Sequence, residues 1–177
     1  VLCASYTDEA VEKHSAFNRM QAWGYGVSVP TAVALDYSQV KDFEVYPVLV
    51  TGDSAWIEHE TKDMVDGEFV CNPAAGEKEG NYAVLINLSR KIGDKEQRII
   101  ISGDSDFITN EEFGLTRPGM EVNNFEVITG SFRWLSYDAY PIYTDRIGAI
   151  DNGINLSGGW RVWIKLFFMI LFPAFLV

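Results

Sequence analysis

The sequence predicts an α/β fold, an open sheet flanked by helices and followed by a C-terminal transmembrane helix, and three stretches carry that expectation. In RIIISGDSDFITN, Arg98 to Asn110, a β-branched run too short for a helix stops at Gly103, so it reads as a buried strand. Asp104 and Asp106 stand at its carboxyl end, where open α/β sheets place their ligands. In NNFEVITGSFRWLSYDA, Phe125, Ile128, Phe132 and Leu135 follow a 3-4-3 spacing that predicts a helix with these residues in the core. Asn123 or Asn124 is its candidate N-cap. In WRVWIKLFFMILFPAFLV, Lys165 is the one charge after Arg161. Seventeen residues from Arg161 at ~1.5 Å each cover about 25 Å, a little under a ~30 Å hydrocarbon core. Trp160 and Trp163 fit an interfacial belt, and proline at 173 is tolerated in such helices.

A length of 177 residues, 47% hydrophobic and 22% charged, suits one domain with a core of its own. The chain starts at Val1 inside an apolar pattern and is expected to be a fragment of a longer protein. Residues 1–140 would form the α/β domain, 141–160 a Gly/Asn/Asp-rich tether, and 161–177 a truncated membrane helix. Twenty-five acids against fourteen bases give a net charge of −11, and no Lys/Arg cluster supplies the basic footprint of a nucleic-acid partner. Cys3 and Cys71 have no CxxC spacing and His14 and His59 stand alone, which speaks against a structural zinc site. A disulfide and two separate thiols both remain open for the cysteines.

The remaining elements follow in chain order. Residues 7–23 predict one helix, with Ala10, Val11, His14, Phe17 and Met20 roughly on one face and Asp8 and Glu9 at its amino end. His14 reads as a satisfied, partly buried side chain. Val27 to Leu35 is strand-like, with Pro30 marking an edge or an irregularity. VYPVLVTGDSAW gives a strand ending at Thr51 and Gly52, and residues 58–80 form an exposed polar excursion. Tyr82 to Leu88 gives another strand, joined by KIGDKEQ to the focal one and antiparallel to it if the two pair directly. Residues 111–121 read as a loop. Gly130 inside the late helix costs about 1 kcal/mol relative to Ala unless close packing requires it.

Asp104 and Asp106 admit several chemistries. Asp104 could cap its own turn while Asp106 stays solvated. SGDSDF also looks like the acidic strand end of PIN-like (NYN) ribonucleases, whose carboxylates gather Mg²⁺ or Mn²⁺ for phosphodiester attack. The Asp-x-x-Asn strand usual early in those enzymes is not visible. Gly103-Asp104-Ser105 is similar to the GDSL hydrolases, but no histidine follows Ser105, which removes an esterase.

GDSDFITN, a loop, the NNFEVITGSFRWLS helix, a TDR…DN segment and the closing WIKLFFMILFPA stretch together resemble the carboxyl-terminal part of GldG-like proteins. Those are auxiliary or permease-fused components of ABC-2 type transport systems, known from gliding-motility machinery. VALDY at 33–37 and DFEVYPVLVTGDSAW at 42–56 are similar to that family's upstream segments, with Gly52-Asp53 where Thr-Ser is usual. The resemblance implies a Rossmann-like domain on the periplasmic side of a bacterial inner membrane. It further implies a non-enzymatic role in protein interaction or substrate handling, no cofactor, and permease and ATPase subunits as partners. Homo- or hetero-oligomeric assembly is left open. The candidate binding residues are Asp104, Ser105, Asp106 and Asn110 at one strand end and Thr51, Asp53 and Ser54 at another, expected to face one crevice.

Overall fold

The computed structural model describes residues 2–59, 69–115, 119–140 and 158–175. Backbone contacts divide the chain into two units, Val1–Ile142 and Tyr143–Val177.

In the first unit the strands β1 (Leu2–Tyr6), β2 (Val27–Val29), β3 (Glu44–Thr51), β4 (Ala83–Ile92) and β5 (Lys95–Ser102) form one sheet in the order β2-β1-β3-β4-β5. Every neighbouring pair is antiparallel. This corrects the expected Rossmann-like open sheet, and the connections give the reason. Parallel neighbours need a crossover of about a dozen residues or more, whereas β4 and β5 are joined by Gly93 and Asp94 alone, with Ile92 opposite Lys95. Gly93 takes the φ of 60° that such a tight turn requires and glycine supplies without strain. Register shifts around Leu49 bend β3 and curl the sheet.

Both faces of the sheet are covered. On one, Ala4, Val27, Val29, Tyr46 and Val48 pack with Phe17, Val127 and Trp134 from the helices. On the other, Ala83, Ile86 and Leu88 meet Leu35, Tyr37 and Phe43 from an extended segment. The expected strand from Val27 to Leu35 therefore stops at Val29. After Pro30 the chain crosses the sheet end, Val33 N–H donating to Gly103 O (2.8 Å) and Leu35 N–H to Ala83 O (2.8 Å). The fully buried strand is β4, through Ala83 to Ser89. The Ile99–Ile101 run lies instead on the edge strand β5 and is half-buried, with Ile101 exposed.

The β4 register turns the main-chain groups of Glu96, Arg98, Ile100 and Ser102 outward. Glu96 O accepts from Tyr137 Oη (2.5 Å). Among the described residues, the outward groups of Arg98, Ile100 and Ser102 have no main-chain partner.

The helix expected over 7–23 is two helices, α1 (Asp8–Lys13) and α2 (Asn18–Trp23). Thr7 caps α1 by accepting from Ala10 N–H (3.1 Å). His14 breaks the run: its backbone is extended and its Nδ1 accepts from Ala16 N–H (3.1 Å). Its Nε2 faces Asp138 Oδ2 at 3.2 Å.

A short α3 (Asn110–Gly114) precedes α4 (Asn124–Leu135). Asn123 is the N-cap of α4, accepting from Glu126 N–H (3.3 Å), while Asn124 is buried and does something else. Its Oδ1 accepts from Ser28 N–H (2.9 Å) and its Nδ2 donates to Ser28 O (2.8 Å) and Phe107 O (3.0 Å). At the other end of the helix, Arg98 of β5 donates to Trp134 O (2.5 Å). A helix of twelve residues spans about 18 Å and four strand spacings about 19 Å, so α4 reaches from one sheet edge to the other.

The face of α4 that packs is Asn124, Val127, Gly130 and Trp134, not the 3-4-3 stripe. Phe125 and Phe132 are 63% and 58% exposed, with Ile128 half-buried. Gly130 decides between the stripes, since a Cβ there would lie 3.1 Å from a Phe17 ring carbon.

In the second unit, α5 (Gly158–Leu166) continues as a π-helical turn, Phe167–Leu171, and α6 (Phe172–Phe175). Among the described residues no helix is long and apolar enough to cross a membrane, which corrects the helix expected over 161–177. Pro173 supplies the reason: without an N–H, and with its ring against the preceding turn, it breaks α-helical pairing, and Phe172 N–H reaches back to Phe167 O. The nine residues of α5 cover only about 13 Å. Residues 141–157 of the tether expected over 141–160, and 60–68 of the excursion expected over 58–80, lie outside the described residues.

Two outcomes are expected. Asn124→Ala strands Ser28 N–H and two carbonyls in the core and lowers the urea unfolding free energy by about 3 kcal/mol. For His14, burial is the main cause holding the imidazole below its ordinary 6.5, with Arg133 and Arg98 adding to it and Asp138 opposing. The folded state keeps His14 neutral while the unfolded chain protonates, so its contribution is whole above pH 6.5 and is lost as pH falls below that value. Melting curves of wild type and His14→Gln should converge from pH 7 toward pH 5; a constant gap would contradict this.

Candidate functional site

The turn after β5 is built by side chains bonding to nearby main chain. Ser102 Oγ donates to Asp104 O (2.7 Å) and accepts from Asp104 N–H (3.3 Å). Asp104 is buried at 5% exposure, and both its oxygens are engaged: Oδ1 accepts from Asp106 N–H (2.7 Å) and Oδ2 from Thr31 N–H (3.2 Å). Exposed Asp106 accepts from Thr31 Oγ1 (3.3 Å) through Oδ2. Phe107 fills the core, and Thr109 caps α3 by accepting from Glu112 N–H (3.2 Å). Ser105 and Asn110 are exposed. Gly103 is obligatory, because a Cβ there would stand 1.9 Å from Val33 O.

The second strand end is organised separately. Thr51 is buried, its Oγ1 accepting from Tyr82 N–H (2.9 Å) and its N–H donating to Tyr82 O (2.9 Å). Asp53 and Ser54 are exposed on the following turn. Since β3 and β5 run the same way on either side of β4, both ends lie at one end of the sheet, two strand spacings or roughly 10 Å apart. Among the described residues no hydrogen bond joins them. The segment 31–35 occupies the ground beside Gly103 and Ala83, where a shared crevice was expected.

This arrangement is a clamp. Asp104 uses its carboxylate to hold residues 31–35 against the strand end. Among the described residues no group of three or more His, Cys, Asp or Glu side chains is placed to hold a metal ion. No imidazole among them hydrogen-bonds Ser105. Cys3 and Cys71 are free thiols.

Two features escaped the sequence reading. Glu77, inside the supposedly solvated excursion, is buried and accepts from His59 N–H (2.9 Å) and Asn72 N–H (2.6 Å), which hold its carboxyl below the ordinary range. A buried anion with main-chain donors leaves no periodic signature. The other is an exposed apolar surface, where Phe113 meets Phe125 edge to face at 6.2 Å, beside exposed Ile108 and Leu115.

Comparison of the chain with protein-family models, with curated proteins and with solved structures finds no match.

Asp104→Ala should free Thr31 and Asp106 amides and cost about 1–3 kcal/mol. Hydrogen exchange reads it directly: faster exchange confined to those amides and to Val33 is expected, and unchanged rates there would show that the clamp holds nothing.

Proposed function

We propose that the chain is a non-enzymatic interaction module of an ABC-2 type transport system of the GldG-like kind, standing on the periplasmic side of a bacterial inner membrane. The observation that carries the non-catalytic part is the engagement of both Asp104 oxygens by main-chain N–H groups. A carboxylate spent on holding its own loop is a poor metal ligand or base, because loading it with another task abandons two main-chain donors. The transport context rests on the order of sequence motifs from VALDY to WIKLFFMILFPA, and not on the fold.

Two further features support an interaction role. Phe113, Phe125 and Phe132 present aromatic surface of the kind that marks protein contacts. In the second unit, Trp160, Trp163, Met169 and Phe175 are all more than half exposed, apolar surface that helices of a partner subunit would cover. ATP hydrolysis falls to a separate subunit, since the chain has no GxxxxGK[ST] loop.

Detergent extraction of the tagged chain with residues 141–177 intact tests the reading. Co-purification of a permease and an ATPase subunit is expected. Their absence, or saturable Mg²⁺ or Mn²⁺ binding accompanied by nuclease turnover that disappears in Asp106→Asn, would overturn it.

A further inference from the structure

We propose that the outward stripe of α4, with Phe113 at its flank, is a docking seam for a basic amphipathic helix of a partner protein. The inference deepens the reading of the chain as an interaction module and does not depend on the transport context.

The helix α4 carries two apolar stripes, and only one is consumed by the fold. Val127, Gly130 and Trp134 pack on the sheet with Ile128 half-buried against the same core, whereas Phe125, Phe132 and Leu135 of the 3-4-3 set stay exposed along the outer side. That spacing is the seam on which one helix receives the side chains of another. Aromatic side chains are costly to leave in water and are the residues that anchor protein interfaces. Phe113 stands edge to face against Phe125, so the stripe broadens at its amino end.

Charge selects the occupant. Residues 104–138 contain seven carboxylates, among them exposed Asp106, Glu111 and Glu121, against two cations, Arg117, which lies outside the described residues, and Arg133, which pairs with Asp138. A second copy would bring another net charge of −11 to the same place. An anionic bilayer would be repelled likewise. A helix with an apolar ridge flanked by Lys or Arg meets both the stripe and its acidic surroundings.

The test uses the full chain in zwitterionic detergent and a fluorescent synthetic helix of roughly 18 residues, with Leu at 3-4 spacing and Lys on its flanks. Anisotropy is read against detergent alone. Saturable binding is expected. It should weaken at least about tenfold in Phe125→Ser/Phe132→Ser, and by roughly threefold or more, with a flatter salt dependence, in Glu111→Gln/Glu121→Gln. Ile92→Ser, an exposed apolar control on the β4–β5 hairpin, should bind as wild type. Melting curves check the folding of the phenylalanine variant; if it melts early, the glutamine pair decides.

Equal binding by wild type and both double variants overturns the proposal, as does equal binding of a peptide with Glu in place of Lys. So does dimerisation, or adsorption to phosphatidylcholine vesicles, that depends on Phe125 and Phe132 while the Lys peptide fails to bind. Peptide binding without co-purifying transport subunits would leave the seam standing and remove only the transport context.

Discussion

A buried carboxamide holds this fold together. Ser28 lies on the outermost strand of one edge, fully enclosed, and its main-chain N–H and C=O face away from β1 with no water to receive them. An unpaired buried pair of this kind costs several kcal/mol, so the edge cannot simply end there. Asn124 answers both groups as another strand would, and its remaining proton ties in Phe107 O beyond β5. Just upstream, Gly26 exchanges bonds with Glu121 and Asn123 (2.9 and 3.0 Å), continuing the same cover in main chain. The position of α4 follows, and so does the choice of which side it shows to the core.

The acidic turn after β5 belongs to the same economy of buried polar groups. Asp104 looks like an active-site residue by its place at a strand end, yet its surroundings make it a fastener for residues 31–35. The close approach of Gly103 to Val33 and the bond from Thr31 N–H to Asp104 act on one segment from two directions. The exposed aromatic surface lies elsewhere, on the outer side of α4.

Local pattern was legible in the sequence, and global arrangement was not. The strands around Val48, Ile86 and Ile100, the hairpin between the last two, the helix after Asn123 and the condition on Gly130 all follow from periodicity and turn chemistry, which neighbouring residues settle. The sheet order depends on where α1 and α2 return the chain, and no periodicity encodes it. The two stripes of α4 read almost alike, and the distant partners of Asn124 together with the Phe17 ring beneath Gly130 distinguish them. One helix was expected across His14 because its ring nitrogen's competition for Ala16 N–H is invisible to an apolar count. Hydropathy likewise registers the apolar content of 161–177 and misses what Pro173 does to its turns. At the acidic strand end the residues were found, but their partner Thr31 is 73 positions away from Asp104.

The two edges of the sheet differ in a way that constrains assembly. The β2 edge is covered by residues 121–124, while among the described residues the β5 edge keeps unpaired main-chain groups at Arg98, Ile100 and Ser102. A sheet open on both sides lets strand follow strand without limit, the geometry of a fibre. With one side closed, edge-to-edge joining of two copies through β5 uses up both open edges and has nowhere to propagate. Among the described residues, the carboxamide at Asn124 thus leaves this sheet a single open edge, and joining through it stops at two copies, a limit set from the far side of the sheet.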